Sequence, residues 1–143
     1  MKTGWKIVVV IAMLAAMIGC SARKHAPLVA VVEKIQVAGN HQGEAIDLTY
    51  TQSVKMTAVL NYLRWLRPQY KADCDPEMIP GDEYTITVTL SDGTQEVYRQ
   101  KTNGYLRKDA GRWENIDPEK GKMLYEIISQ MTGDEENMTN PAL

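Results

Sequence analysis

The residues of this chain best suited to chemistry are two histidines, two cysteines and one carboxylate-rich loop. Their spacing favours little catalysis. His25 lies in a short basic stretch, and His41 lies in Gly39-Asn40-His41-Gln42-Gly43, which reads as a turn. No nucleophile–base pair can be placed on the expected sheet or helices. Neither His-Glu-x-x-His, a Gly-rich phosphate loop nor a cysteine pair at metal spacing is present. Asp73, Asp75, Glu77, Asp82 and Glu83 place five carboxylates within one loop. Calcium takes several oxygen ligands, but this spacing departs from an EF-hand loop, and acids beside Pro and Gly usually serve to solvate a turn. No catalytic residue, metal or other cofactor is therefore expected. An enzyme acting on envelope material stands as the alternative and would need a carboxylate of shifted pKa from that loop.

Binding chemistry is better represented. Glu83 to Leu90 alternates strictly, with Tyr84, Ile86, Val88 and Leu90 on one face and Thr85, Thr87 and Thr89 on the other. Asp92-Gly93 reads as a two-residue hairpin turn. That register sets Val88 opposite Val97 and Thr87 opposite Tyr98, so Tyr98 and Gln100 join the threonine face. With Leu106 inward, Tyr105 and Arg107 point outward beside them. The candidate binding face is thus Thr85, Thr87, Thr89, Tyr98, Gln100, Tyr105 and Arg107. Tyr and Arg carry much of the energy at interfaces. An ordinary solvated sheet face accounts for the same residues, since Thr and Tyr favour strands. Trp113 is expected to anchor the last strand against a helix rather than to serve as a ligand platform.

The elements that must position this face follow from periodicity. Leu28 to Val37 is a first strand, and Ile46 to Tyr50 a short return strand. Ser53 to Leu66 is an amphipathic helix: Met56, Val59, Leu60, Leu63 and Leu66 form one stripe, Thr51 or Ser53 is placed to cap it, and Pro68 stops it. Pro68 to Asp82 is a loop. Thr94 to Gln100, Tyr105 to Lys108 and Arg112 to Ile116 continue the meander. Asp117-Pro118-Glu119 begins a second helix with its stripe on Met123, Leu124, Ile127, Ile128 and Met131, ending at Gly133. Together these imply one two-layer α+β domain over 28–132, an antiparallel sheet of about three to five strands with both helices packed on one face. About 110 residues suffice for such a core without disulfides. Asp134 to Leu143 is polar and aperiodic, so 133–143 is expected to be a disordered tail.

The first residues differ in kind. Lys2 and Lys6 precede an uncharged apolar run, Ile7 to Ile18, which ends at Gly19-Cys20. A charged start, a short apolar run and a small residue at the cut are the parts of an export signal. The run falls short of the ~20 apolar residues that span a bilayer. Met17-Ile18-Gly19-Cys20 resembles a bacterial lipobox, with Met17 in place of the usual Leu. That resemblance implies removal of 1–19 and covalent diacylglycerol and acyl groups on Cys20, holding the chain on the outer face of the cell membrane. An ordinary secretory signal or an uncleaved anchor is the alternative. Several acyl chains make such attachment stable. Residues 20–27 would then be a tether, and Cys74 the one remaining thiol, best read as a small buried hydrophobe. The whole chain carries 16 Lys and Arg against 18 Asp and Glu, and two of those cations lie in the leader. An exported, mildly acidic chain is a poor match for nucleic acid.

Val59 to Arg64, Pro80-Gly81-Asp82, Leu90 to Thr94, Tyr98-Arg99-Gln100, Trp113 and Ile116-Asp117-Pro118 occur in an order that resembles short uncharacterised lipoproteins of clostridia-related gut bacteria. Similar segments occur in the extracellular parts of some membrane-bound regulatory peptidases. The resemblance spans roughly Thr49 to Met131 and implies compartment and organism type more than mechanism. The helix–hairpin–strand order is also similar to modules that bind proteins through a sheet face, such as the β-lactamase-inhibitor fold. The expectation is a lipid-anchored, extracytoplasmic, non-catalytic module that binds a protein, peptide or envelope ligand. Its alternatives are an envelope-acting hydrolase and a passive structural component.

Overall fold

A computed structural model describes residues 27–68 and 70–139. The expected leader over 1–19, the expected lipidation of Cys20 and the expected tether up to residue 26 fall outside the described residues. The strands are β1 (Val32–His41), β2 (Glu44–Tyr50), β3 (Tyr70–Lys71), β4 (Glu83–Leu90), β5 (Gln95–Lys101), β6 (Tyr105–Lys108) and β7 (Glu114–Asn115). The helices are α1 (Ser53–Leu66), α2 (Pro118–Gly121) and α3 (Met123–Thr139), with 3-10 turns at Val29–Val31 and Pro76–Met78. Among these residues no helix is long and apolar enough to cross a membrane.

The fold is α+β with one antiparallel sheet, in the order β2-β1-β4-β5-β6-β7-β3. It has seven strands, not the three to five expected. β1 lies along β4 from Val32↔Leu90 to Asn40↔Glu83, which draws the first hairpin into the same sheet. Two strands of two residues, β7 and β3, extend the far side. Pairing between segments fifty residues apart leaves no mark on local alternation, so the sequence pattern could not count these strands.

β1 also runs further than the sequence reading allows, through Gly39 and Asn40 to His41. Gly39 belongs to the strand because β4 passes close beside it: a Cβ there would lie 2.0 Å from the Glu83 carbonyl oxygen. The turn shrinks to Gln42 (φ 49°) and Gly43 (φ 89°), both left-handed, as a two-residue hairpin of the right twist requires. The Asn40 side chain accepts from Gly43 N at 2.9 Å and holds it closed.

α1 spans the expected residues and buries Met56, Val59, Leu60, Leu63 and Leu66, with Tyr62 in addition. Burial of each apolar side chain stabilises by ~1.5–3 kcal/mol. Its cap position falls on Gln52, which makes no side-chain capping bond, rather than on Thr51 or Ser53. Arg67 leaves the helix in the left-handed region (φ 41°) ahead of Pro68. In the second helical segment Asp117 accepts from Glu119 N at 2.9 Å, as its cap position demands. α3 then continues through Gly133 to Thr139, past the expected stop. A helical Gly costs about 1 kcal/mol relative to Ala, too little to end a helix, and no proline intervenes. One core unites Ile35, Val37, Ile86, Val88, Tyr98 and Leu106 of the sheet with Val59, Leu60, Leu63, Leu124 and Ile128 of the helices.

Candidate functional site

The β4–β5 register decides which residues are available for binding. Gly93 N donates to Leu90 O at 2.9 Å, and Leu90 N donates to Thr94 O at 2.8 Å. The loop therefore holds three residues, Ser91, Asp92 and Gly93, with Gly93 left-handed at φ 85°. Asp92 Oδ1 selects this loop by accepting from both Thr94 N (2.9 Å) and Thr94 Oγ1 (2.7 Å). Thr87 now faces Val97 and Ile86 faces Tyr98, one residue away from the expected pairing. A slip of one residue moves every side chain of the strand to the opposite face.

Tyr98 and Gln100 are accordingly buried, at 5% and 0% exposure. Tyr98 OH donates to Glu96 at 2.8 Å, and burial, reinforced by that carboxylate, holds its pKa above the usual range. Gln100 accepts from Tyr62 OH and donates to Gly121 O at 2.9 Å, joining β5, α1 and α2. Burial likewise pushes the Tyr62 hydroxyl up. Thr89 is buried as well, beside Gln95. Only Thr85, Thr87, Tyr105 and Arg107 of the expected set stay partly open on the outer face.

That outer face is engaged by the protein's own loop. Arg99 and Arg107 stand directly opposite each other, a like-charge pairing that costs stability unless neutralised. Glu77 supplies the neutralisation, 2.8 Å from Arg99 Nη1 and 3.5 Å from Arg107 Nη2. Trp113 lies beneath both guanidinium groups, its ring centroid 4.9 Å from Arg107 and 5.6 Å from Arg99. It anchors this corner of the sheet. Cys74 is exposed rather than buried, with its Sγ 3.3 Å from Tyr105 OH.

Four of the five carboxylates of the acidic loop are engaged within the fold, Glu77 and Glu83 both by Arg99. Asp75 caps the 3-10 turn through Glu77 N at 3.1 Å. Glu83 binds Arg99 and Lys101, and the hydrogen bond from Arg99 holds its pKa below the usual carboxylate range. Asp82 accepts from Gln42 N at 2.8 Å and lies 2.9 Å from His41 Nδ1. Among the described residues no three His, Cys, Asp or Glu side chains converge as a metal-ion site.

A broad, open recess lies elsewhere, between β2 and α3. It measures about 480 Å³ and is lined by His41, Ile46, Leu48, Tyr125, Ile128 and Ser129, among others. β2 is the last strand of the sheet on this side. The outward N–H and C=O groups of such a strand are the template for an added strand. Glu44, Ala45, Asp47 and Thr49 are exposed along it, whereas Ile46 and Leu48 are half-buried. His41 stands at one end, its ring stacked on Tyr125 with centroids 3.6 Å apart and planes 9° apart. The Tyr84 hydroxyl lies 2.6 Å from His41 Nδ1, and burial pushes that hydroxyl up to about 12. His41 is thus locked between helix and sheet.

None of this groove was singled out from the sequence, where Gly39 to Gly43 counts as a turn. The available signal was parity: extended past Val37, the β1 alternation places His41 on the core-facing side. The arrangement offers a clamped His–Asp pair, a strand edge without a neighbouring strand among the described residues, and a recess of mixed polarity with an acidic rim. No family model, no curated protein and no solved structure matches this chain.

Proposed function

We propose that this chain is a lipid-anchored, extracytoplasmic, non-catalytic binding module that takes an extended polypeptide as an added strand along β2. In this reading it belongs with the clostridial lipoproteins it resembles. It is held on the outer face of the membrane through Cys20, with 20–27 as tether, and its helices form a second layer over the inner sheet face. The reading is carried by one observation: β2 is a seven-residue edge strand beside a recess of mixed polarity, into which Ile46, Leu48 and Ile128 contribute the apolar surface. Strand addition draws affinity from main-chain hydrogen bonds and specificity from pockets for alternate side chains. Ile46 and Leu48 face that trough together with Ile128 and Tyr125. The outer sheet face is a weaker choice, since Glu77 already holds Arg99 and Arg107.

Selection of peptides from a random display library on the full-length chain in lipid vesicles tests the reading. Ser129 is exposed and lines the trough, so Ser129→Arg fills it without touching the core. Peptides that bind the native protein and fail on Ser129→Arg support it, and peptides indifferent to that change argue against it. A second reading, an envelope hydrolase, draws on the His41–Asp82 pair, because a carboxylate-oriented histidine is what a general base requires. Mass spectrometry of the bound peptides separates the two: intact peptides favour binding alone, and cleavage lost in His41→Ala favours hydrolysis.

A further inference from the structure

The charge around the β2 trough is one-sided. Glu44 and Asp47 line it, and among the described residues no Lys or Arg does. His41, the remaining titratable base there, has its Nδ1 committed to Asp82 and Tyr84. The strand register says where each group would meet an added strand. Ile46 pairs with Gly39 and Leu48 with Val37, on the core-facing side, and Glu44 pairs with His41 on that same side. Asp47 pairs with Ala38 on the outer side. Residues directly opposite on neighbouring strands share a face, about 4.5–5.5 Å apart at Cβ, and opposite charges there attract.

We infer that the segment bound along β2 is cationic and patterned, with apolar side chains opposite Ile46 and Leu48 and a Lys or Arg opposite each of Glu44 and Asp47. This rests on the strand-addition reading and adds to it the class of partner. Read along β2 from Glu44 to Leu48, the partners are cation, small or polar, apolar, cation, apolar, so an antiparallel added strand carries them in reverse order from its N-terminus. The two apolar side chains enter the trough beside Ile128. The outer cation meets Asp47, which is exposed, and the inner one meets Glu44 at the end of the trough. An acidic segment of the same shape would set like charges opposite each other twice, which is destabilising.

Two synthetic peptides decide it, Thr-Val-Lys-Val-Thr-Lys and its counterpart with Glu in place of both Lys. Binding is measured by titration calorimetry to the full-length protein in neutral-lipid vesicles. Exposed charge pairs are individually weak, so the expected preference for the Lys peptide is roughly fivefold or more. Asp47→Lys should shift that preference toward the Glu peptide, and Ser129→Arg should abolish binding of both. Equal binding of the two peptides, still lost in Ser129→Arg, overturns the cationic pattern and leaves strand addition standing. Failure of both peptides to bind, or binding that ignores Ser129→Arg, overturns the pattern and strand addition together.

Discussion

Tyr62 of α1 donates its hydroxyl to Gln100 of β5, and both side chains are buried. Gln100 passes the connection on to Gly121 O at 2.9 Å, so one amide fastens the sheet to the end of α2 and to α1. A buried polar residue in this position favours the observed register of β5, since a slip would expose Gln100 and break its hydrogen bond with Tyr62. Tyr62→Phe leaves the Gln100 oxygen unsatisfied and should cost about 1–3 kcal/mol in urea unfolding. Tyr62→Phe with Gln100→Met should cost less than the sum of the two single changes, because the pair acts as a unit.

The hairpin loop makes a related prediction. Gly93 holds φ 85° and has open space where a Cβ would go. Gly93→Ala should therefore destabilise by about 1–2 kcal/mol through backbone strain alone. Gly39→Ala should cost at least as much for the opposite reason, a Cβ 2.0 Å from the Glu83 carbonyl oxygen. Thermal denaturation of both variants checks the pair.

How far these features were legible depends on the range over which each is encoded. The α1 stripe is local, and Ser53–Leu66 follows from its spacing and Pro68. The threonine alternation of β4 is local too, and its inward set, Tyr84, Ile86 and Val88, is buried. The β5 register was not legible, because Ser91-Asp92-Gly93-Thr94 suits both a two-residue and a three-residue loop. Asp92 settles the choice through hydrogen bonds to Thr94 that the residue types alone do not reveal. Two of the seven expected face residues, Tyr98 and Gln100, changed sides on that single residue. The β2 trough was hidden further still, for it exists only once β1 pairs with β4 and α3 crosses behind the hairpin.

Acid should weaken the fold through Glu83. Its pKa lies below the ordinary value, chiefly because of the Arg99 hydrogen bond. A carboxyl lowered by folding contributes stability above its unfolded pKa, about 4.3, and loses it as pH falls through the folded value. The melting temperature of the native protein should drop below about pH 4, and Glu83→Gln should show a shallower drop over the same window. An identical acid limb in the variant would show that Glu83 is not the titrating group.

Alkali should act in part through Tyr84, whose hydroxyl is pushed up to about 12 by burial, alongside the raised hydroxyls of Tyr62 and Tyr98. A group raised on folding loses its contribution as pH rises from the unfolded value, about 10, through the folded one. Tyr84→Phe should make the stability profile shallower in that interval, with Tyr62 and Tyr98 supplying the remainder, and loosen His41, whose Nδ1 lies 2.6 Å from the Tyr84 hydroxyl. Urea midpoints across the alkaline range give the answer.

The outer face makes a negative prediction. Arg107→Ala or Tyr105→Ala should leave peptide binding within about twofold, since neither residue lines the β2 trough. Glu77→Ala leaves Arg99 and Arg107 opposite each other without their shared counter-ion, and should lower stability by up to about 1 kcal/mol. A large loss of binding in Arg107→Ala would move the site to the outer face.

Backbone amide exchange across β2 tests strand addition most directly. Exchange at Glu44–Tyr50 is followed by mass spectrometry with and without saturating peptide, on the full-length chain in vesicles. Strand addition predicts slowed exchange concentrated in that strand, because its outward amides gain hydrogen-bond partners, with little change at Thr85 or Arg107. Protection at Thr85 and Arg107 with β2 unaltered would contradict it.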